Sequence, residues 1–145
     1  MRRMAFRSKQ RVRFGDVDHA RIVYYPRYLH YFHVAFEDWW EGVMGVPYAK
    51  LMGEQALGFP AVHIEVDFLA PLRFGDDVAI EVAVDHVGAS SVRWAYRVMR
   101  LAGGTEEHVG TCRITTVALD MRTFQKVPVP EWLRAASDSA ASRTS

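Results

Sequence analysis

The fold of this 145-residue chain is decided by residues 26–43, PRYLHYFHVAFEDWWEGV. Apolar side chains recur there every three or four residues, the period of one helix face; they are Tyr28, Phe32, Ala35, Phe36, Trp39 and Val43. Pro26 suits the first helical position because its missing N–H would be unpaired there anyway, and Gly45 and Pro47 follow as stop signals. The stretch predicts one long helix that is held in place by burial of its broad apolar face.

Strands dominate the rest of the chain. Apolar and polar residues alternate over residues 62–68, 78–84 and 92–98, and residues 108–119 are rich in Val, Thr and Ile, as is typical of strands. The intervening turns are too short for parallel crossovers, so antiparallel hairpins are predicted. Three shorter elements complete the prediction: a strand over residues 10–14, a helix over residues 48–53 and a helical turn over residues 131–135.

A helix with one broad apolar face needs a single large sheet to cover it. The sequence therefore predicts an α+β fold, in which a curved antiparallel sheet wraps around one long central helix. The length suits one domain, which we place over residues 1–136. The small polar residues 137–145 predict a disordered tail.

Composition excludes several classes of function. A formal net charge of +1 gives no field that would attract nucleic acid or an anionic membrane. No apolar run reaches the roughly 18 residues that a membrane span requires, and no apolar signal core follows the basic N-terminus. Cys112 is the only cysteine, which excludes an internal disulfide or a multi-cysteine zinc site and is typical of a reducing compartment. We therefore expect a cytoplasmic protein with no nucleic-acid or membrane partner.

The candidate site lies in residues 14–28, FGDVDHARIVYYPRY. This stretch places two carboxylates, Asp16 and Asp18, in a turn just before the long helix. A helix N-terminus offers free N–H groups and a partial positive charge, which suit an oxyanion developing on a carbonyl. A carboxylate beside such a carbonyl could attack it or deprotonate a water molecule. From spacing alone, turn and capping roles stay open for both residues and are the commoner use of Asp in such places.

Residues 14–28 resemble the active-site signature of the 4-hydroxybenzoyl-CoA thioesterase family, which runs close to F-G-D-x-D-x-A-G-I-V-x-Y-P-x-Y. The matching positions are Phe14, Gly15, Asp16, Asp18, Ala20, Ile22, Val23, Tyr25, Pro26 and Tyr28. Residues 66–77, VDFLAPLRFGDD, are similar to the family's strand-and-turn segment Y-L-x-P-x-R-F-x-D. The order and spacing of elements agree over most of the chain.

The resemblance implies a single thioesterase domain of the hotdog fold. It also implies a homodimer with one continuous sheet and active sites at the dimer interface, usually assembled into a homotetramer. Members hydrolyse acyl-CoA thioesters without a metal or prosthetic group, so no cofactor is expected beyond the coenzyme A of the substrate. By correspondence, Asp18 is the catalytic carboxylate, the Tyr25 backbone N–H is the donor to the thioester carbonyl, and Asp16 braces the loop. Whether Asp18 is nucleophile or general base stays open.

Two departures from the family pattern bear on the substrate. His19 and Arg21 stand where the family often has Pro and Gly. Arg21 demands a backbone conformation open to a side chain, and His19 is a substrate-binding candidate or a polar turn residue. The basic residues that hold the CoA nucleotide in the family are absent from residues 86–91, where only Ser90 corresponds. The expected CoA-binding residues are Ser90, Ser91 and Arg93, with Arg97 as a further candidate.

The acyl pocket is expected to take side chains from the helix and from the strand that follows. His33 falls where hydroxybenzoyl-specific members have an acid that meets the ring hydroxyl, so His33 argues against simply copying that substrate. Phe59 and His63 are the other expected pocket residues. His30, His33 and Glu37 share a helix face that could bind a metal, but nothing completes the ligand set, and no metal site is predicted.

Together these features predict an acyl-CoA thioesterase that releases free acid and coenzyme A from an aromatic or short-to-medium acyl-CoA. Two alternatives stay open. One is a hydrolase of acyl-carrier-protein thioesters, which the weakened CoA-nucleotide stretch permits. The other is a non-catalytic hotdog module that binds acyl-CoA, although such a module has no need of Asp18.

Overall fold

One long helix and one large antiparallel sheet make up most of the structure. The computed structural model describes residues 6–142, with side-chain burial described through residue 137. The elements in chain order are β1 (Phe6–Arg11), α1 (Arg27–Met44), α2 (Tyr48–Glu54), β2 (Leu57–Gly58), β3 (Ala61–Phe68), β4 (Asp77–Val87), β5 (Ser91–Ala102), β6 (Thr105–Val117), β7 (Leu119–Asp120), β8 (Gln125–Lys126) and α3 (Glu131–Ser142).

Five strands form the large sheet in the order β1-β4-β5-β6-β3, and β2, β7 and β8 form a small second sheet. All strand pairs are antiparallel. Gly103 and Gly104 alone connect β5 to β6, with φ of 54° and 86°, the left-handed pair that a two-residue hairpin requires. The predicted hairpins and the α+β fold class are confirmed.

The core forms where α1 packs against one face of the large sheet. Trp94 on β5 is fully buried, and its ring centroid lies 5.0 Å from that of Phe36, 4.7 Å from Trp39 and 6.2 Å from Trp40. Such aromatic pairs contribute about 0.5–1.5 kcal/mol each beyond the area that they bury. The aromatic stripe of the sequence is therefore what holds α1 on the sheet.

The ends of α1 lie within one residue of the predicted ends. Pro26 precedes the first turn with φ of −65°. Gly45 ends the helix in the left-handed conformation at φ 71°, and its N–H donates to the Glu41 carbonyl at 3.1 Å, a common helix terminus. No helix within residues 6–142 is long and apolar enough to cross a bilayer.

The first strand differs from its prediction. β1 covers Phe6–Arg11 rather than residues 10–14, and Phe14–Asp16 form a 3-10 turn. The cause is Asp16, whose carboxylate accepts a hydrogen bond from the Arg13 N–H at 2.8 Å while its own N–H donates to the Arg13 carbonyl at 3.0 Å. This local side-chain bond to the backbone competes with strand pairing and turns the chain.

The C-terminal segment also differs from its prediction. The backbone of α3 is helical to Ser142, so it extends beyond the helical turn predicted over residues 131–135. Ala has the highest helix propensity, which accounts for the extension; the alanines are Ala135, Ala136, Ala140 and Ala141. Residues 1–5 and 143–145, where the predicted domain begins and the predicted tail ends, lie outside the described residues.

The strand β3 is an exposed edge of the large sheet. It pairs with β6 on one side, and no strand within residues 6–142 pairs with its other side. Val62, Ile64 and Phe68 are 61%, 41% and 52% exposed. An apolar edge of this kind is a template for pairing with another chain.

We expect Cys112 to be unreactive in the folded protein. Its side chain is buried, and burial raises the pKa of its thiol to about 12, so the reactive thiolate is scarce at neutral pH. A chromogenic disulfide reagent should modify no thiol in native protein and one thiol per chain in urea. Stoichiometric modification of the native protein would contradict this packing.

Candidate functional site

Asp16 anchors the loop that precedes α1. Its carboxylate is buried and accepts hydrogen bonds from the Arg13 N–H at 2.8 Å, the Tyr31 hydroxyl at 2.8 Å and the Arg27 Nε–H at 3.0 Å. Its backbone carbonyl accepts the Tyr24 N–H at 2.8 Å. These bonds tie both ends of the loop to the first two turns of α1, which is the bracing role expected for Asp16.

The Asp16 carboxyl is held in its ionised form. Burial alone would raise its pKa, but the hydrogen bonds from Arg13, Tyr31 and Arg27, together with the Arg27 charge, outweigh burial and lower that pKa. Burial and the bond to Asp16 raise the pKa of Tyr31, so this hydroxyl keeps the proton that it donates. The anchor is therefore a fixed set of hydrogen bonds and not a proton-exchanging group.

Asp18 lies in the exposed part of the same loop. Its Oδ1 accepts the Ala20 N–H at 2.8 Å, its carbonyl accepts the Arg21 N–H at 2.9 Å, and its N–H donates to the Ile22 carbonyl at 3.1 Å. No donor within residues 6–142 hydrogen-bonds its second carboxylate oxygen, Oδ2. The loop therefore fixes the carboxylate by one oxygen and leaves the other open to a ligand or to water.

The Tyr25 amide is a free donor at the start of α1. The Arg27 N–H donates to the Tyr24 carbonyl at 2.9 Å and the Tyr28 N–H to the Tyr25 carbonyl at 3.2 Å. No acceptor within residues 6–142 takes the Tyr25 N–H itself. Because the partial positive charge of the helix dipole lies at this end, the amide suits a carbonyl oxygen that gains negative charge.

Arg21 overturns one sequence-based expectation. Its φ is 65°, so the loop keeps a left-handed conformation that favours Gly, instead of opening to suit a side chain. The turn from Asp18 to Arg21 is closed by hydrogen bonds, and these outweigh a conformational cost of about 1–2 kcal/mol. His19 lies exposed in this turn.

A cavity of about 570 Å³ lies between α1, α2 and the sheet. Its walls are mainly apolar and include Leu29, Phe36, Phe59, Ile64 and Met121. Leu29 lies about one helical turn after Tyr25, so the cavity reaches the first turn of α1. Asp18 and Tyr25 do not themselves line it within this chain.

Two of the predicted pocket residues, His33 and Phe59, line this cavity. His33 Nε2 lies 2.7 Å from Glu37 Oε2. His63 is instead exposed on β3, where its Nε2 lies 2.8 Å from Glu65 Oε1, and the bond to His63 lowers the pKa of Glu65. Within residues 6–142, no three His, Cys, Asp or Glu side chains come together as a metal site would need.

The predicted CoA-binding residues lie at the turn between β4 and β5, apart from the cavity. The Ser91 carbonyl accepts the Gly88 N–H at 2.8 Å, and the Ser90 carbonyl accepts the Ala118 N–H at 2.9 Å. Arg93 Nε donates to Asp85 Oδ2 at 2.7 Å. Both serine side chains are partly exposed, whereas the Arg93 guanidinium is already paired.

Sequence reasoning missed three side chains that shape the site. Arg27 and Tyr31 hydrogen-bond Asp16 from one face of α1. Their spacing of four residues, which places both side chains on the same helix face, was the signal that could have identified them. Tyr96 lines the cavity from β5, but in the sequence its position is typical of any inward-facing residue of a strand. No sequence pattern marks a cavity between a helix and a sheet, because its walls come from segments far apart in the chain.

Comparisons with known proteins agree on one family. A family model described as the thioesterase-like superfamily matches residues 12–137. A 1,4-dihydroxy-2-naphthoyl-CoA hydrolase of Picosynechococcus is 29% identical over 137 residues, covering 90% of this chain and 93% of that protein.

Solved structures give the same result. A gentisyl-coenzyme A thioesterase superposes with a TM-score of 0.79 at 26% identity, covering 89% of this chain and 99% of that chain. The 4-hydroxybenzoyl-CoA thioesterase of a Pseudomonas strain superposes with a TM-score of 0.81 at 24% identity, covering 91% and 98%. The second likeness establishes the shared fold, and the predicted hotdog architecture is confirmed.

Replacing Asp16 by Asn is expected to lower the free energy of unfolding at pH 7 by about 2–4 kcal/mol, because a buried, hydrogen-bonded charge is lost. The folded-state pKa of Asp16 is depressed, so its contribution is present above the unfolded-state pKa of about 4 and is lost as pH falls through the folded value. Urea unfolding from pH 7 to pH 3 should show the gap between the two proteins narrowing below about pH 4. A gap of constant size would contradict this account.

Replacing Arg21 by Gly is expected to raise the free energy of unfolding by about 0.5–1 kcal/mol, because Gly adopts the left-handed conformation without a steric cost. The matched control is Arg73→Gly, at an exposed turn residue outside the left-handed region, which should lower stability. Thermal unfolding compares the two. Equal destabilisation by both substitutions would mean that the turn imposes no strain on Arg21.

Proposed function

This chain belongs to the thioesterase-like superfamily, and from that premise we propose that it hydrolyses an aromatic acyl-CoA thioester to the free acid and coenzyme A. The named relatives act on aromatic CoA thioesters. The observation that carries the proposal is a carboxylate oxygen of Asp18 and the amide of Tyr25, both without a partner in residues 6–142, on the loop that leads into α1. An apolar cavity reaches the first turn of the same helix at Leu29.

In the proposed reaction the thioester carbonyl accepts the Tyr25 N–H at the N-terminus of α1. Asp18 Oδ2 then either attacks the carbonyl carbon or removes a proton from a water molecule that attacks it. Either route passes through a tetrahedral oxyanion and expels coenzyme A as the thiolate. On the water route the thiolate takes up the proton that Asp18 removed, and the free acid leaves. On the direct route a mixed anhydride with Asp18 remains, and water hydrolyses it to release the acid and restore the carboxylate. Loss of one such oxyanion donor costs about 2.7–4 kcal/mol of barrier in other enzymes, so the loop geometry matters as much as the carboxylate.

We also propose that β3 pairs with β3 of a second copy to make one continuous sheet. The support is the side of β3 that no strand within residues 6–142 pairs, where a second antiparallel strand would bond the free backbone groups. The exposed side chains of Val62, Ile64 and Phe68 add apolar surface beside that edge. In such a homodimer the exposed ring of Tyr25 and the end of β3 lie near the joint surface, because Tyr28, three residues after Tyr25, packs on Phe68 at 5.0 Å. A homotetramer would then form from two such dimers.

We further propose that the turn between β4 and β5 binds the nucleotide of coenzyme A. Ser90 and Ser91 offer partly exposed hydroxyls there. Arg93 would have to exchange its pairing with Asp85 for a phosphate.

If this turn binds the nucleotide, substitution of Arg93 should raise KM for CoA esters more than it lowers kcat.

Asp18→Asn is expected to lower kcat for thiol release from aromatic acyl-CoA esters by about 10²–10⁴-fold, the usual worth of a catalytic acid or base. Asn keeps an oxygen that can accept the Ala20 N–H, so the loop should keep its shape. Thiol release is measured with a chromogenic thiol reagent on benzoyl, phenylacetyl and straight-chain esters.

The matched control is Asp77→Asn, which removes a surface carboxylate paired with Arg11 at 2.8 Å and should leave kcat unchanged, since exposed pairs are worth about 0–1 kcal/mol. Saturable binding without thiol release by the wild-type protein would favour a binding module. Hydrolysis of acyl-carrier-protein thioesters alone would show that these, and not CoA esters, are the substrates.

A further inference from the structure

A groove of about 680 Å³ lies beside the end of β1, apart from the cavity between helix and sheet. The residues of β1 alternate between the two faces of the sheet. Ser8 donates to the Asp38 carboxylate of α1 at 2.6 Å, and Gln10 donates to the Tyr31 carbonyl of α1 at 3.0 Å. Lys9, which lies between them, therefore faces away from α1, and it lines the groove.

Two segments form the walls of this groove. Asp77, the first residue of β4, pairs with Arg11 on one side and with Leu101 on the other. The hairpin that joins β5 to β6 therefore projects beyond the start of β4, and the chain that leaves β1 lies on the other side of the gap. Residues of both segments line the groove.

The groove holds two positive charges that the fold leaves uncompensated. Its two carboxylates, Asp77 and Glu106, each accept a hydrogen bond from an arginine of β1 at 2.8 Å. No carboxylate within residues 6–142 pairs with the Lys9 ammonium or with the Arg13 guanidinium, and both side chains line the groove. Every other cation described on the five strands of the large sheet has a carboxylate partner. The two unpaired cations therefore favour an anion at this place.

The hairpin adds two backbone donors to the groove. Gly103 and Gly104 both line it, and no acceptor within residues 6–142 takes the N–H of either. A Cβ built on either glycine would meet no atom within 4 Å, so the approach to these amides is open. Successive free amides in a turn form a concavity that binds anions. Together with a lysine and an arginine they make a donor set that suits phosphate oxygens.

We propose that this groove binds a phosphate group through the side chains of Lys9 and Arg13 and the amides of Gly103 and Gly104. The site is separate from the proposed nucleotide-binding turn, because the turn between β4 and β5 lies at the opposite end of both strands. The inference does not rest on the thioesterase function, since it concerns binding and not the reaction.

Two sources could supply the phosphate, and they differ in their effect on catalysis. One is the nucleotide of the CoA ester itself. Arg13 and Asp18 are five residues apart, so their Cα atoms lie within about 18 Å of each other, a span that the pantetheine arm of coenzyme A can cover. The other source is a separate phosphorylated ligand, which would bind without contact to the thioester.

Inorganic phosphate is the probe for the site. It is titrated into the wild-type protein at constant ionic strength, with chloride as the compensating anion. The Gly103 and Gly104 signals in 1H–15N spectra should shift saturably, whereas the Gly45 signal should stay in place because its N–H donates to the Glu41 carbonyl. A titration without a saturable shift at either hairpin glycine would overturn the proposal.

The double variant Lys9→Gln/Arg13→Gln removes both cations and keeps the Arg13 N–H that bonds Asp16. It should weaken phosphate binding by about 10-fold or more, the usual worth of hydrogen bonds to a charged group. The matched control, Lys50→Gln/Arg122→Gln, removes the same charge from exposed residues outside the groove and should leave binding unchanged. Equal weakening by both double variants would show attraction by net charge alone and would overturn the site.

Steady-state kinetics identify the source of the phosphate. If it comes from the substrate, Lys9→Gln/Arg13→Gln should raise KM several-fold for benzoyl-CoA but not for S-benzoyl-N-acetylcysteamine, which carries no phosphate. Unchanged KM for both esters, with phosphate still bound at the hairpin, would assign the groove to a separate phosphorylated ligand. Absence of hydrolysis for every ester would contradict the thioesterase function and leave the phosphate site standing, whereas a titration without saturable shifts overturns the site whatever the kinetics.

Discussion

The buried carboxylate of Asp16 is the interaction on which the site depends. It collects a backbone amide, a phenol and a guanidinium from two sides of one loop, and so joins the end of β1 to the first turns of α1. A buried ion with several hydrogen bonds is costly to disturb. The loop between these anchors therefore has one shape, and the atoms that it leaves without partners have fixed positions.

The proposed chemistry uses the groups that this loop conformation leaves without hydrogen-bond partners. Asp18 uses Oδ1, its N–H and its carbonyl in hydrogen bonds within the turn. Its Oδ2 has no hydrogen-bond partner within residues 6–142. The hydrogen-bonded turn holds Arg21 in a strained conformation, and the amide of Tyr25 stays unpaired at the positive end of a helix. Strain and unpaired donors of this kind concentrate at functional sites, where a ligand supplies the missing partner.

Most of the fold could be predicted from the sequence, because period and turn chemistry are local signals. The limits of α1 and the existence and order of the four long strands follow from spacing, although the strands extend up to four residues beyond the predicted ends. The resemblance in residues 14–28 led to the confirmed family. The first strand was predicted wrongly because the carboxylate of Asp16 overrides the alternation that precedes it. His33 and Phe59 were expected in the pocket and line the cavity, whereas the contribution of Tyr96 could not be predicted, because contact between β5 and α1 side chains depends on packing and not on any pattern within either element. Ser90 and Asp18 keep their predicted roles as proposals.

The most direct test is a crystal structure of the Asp18→Asn variant bound to an aromatic acyl-CoA. The account predicts the thioester carbonyl oxygen about 2.7–3.2 Å from the Tyr25 amide nitrogen, the substituted side chain at position 18 beside the carbonyl carbon, and the aromatic ring in the cavity between His33 and Tyr96. A thioester bound away from the N-terminus of α1, with the Tyr25 amide facing water, would contradict it.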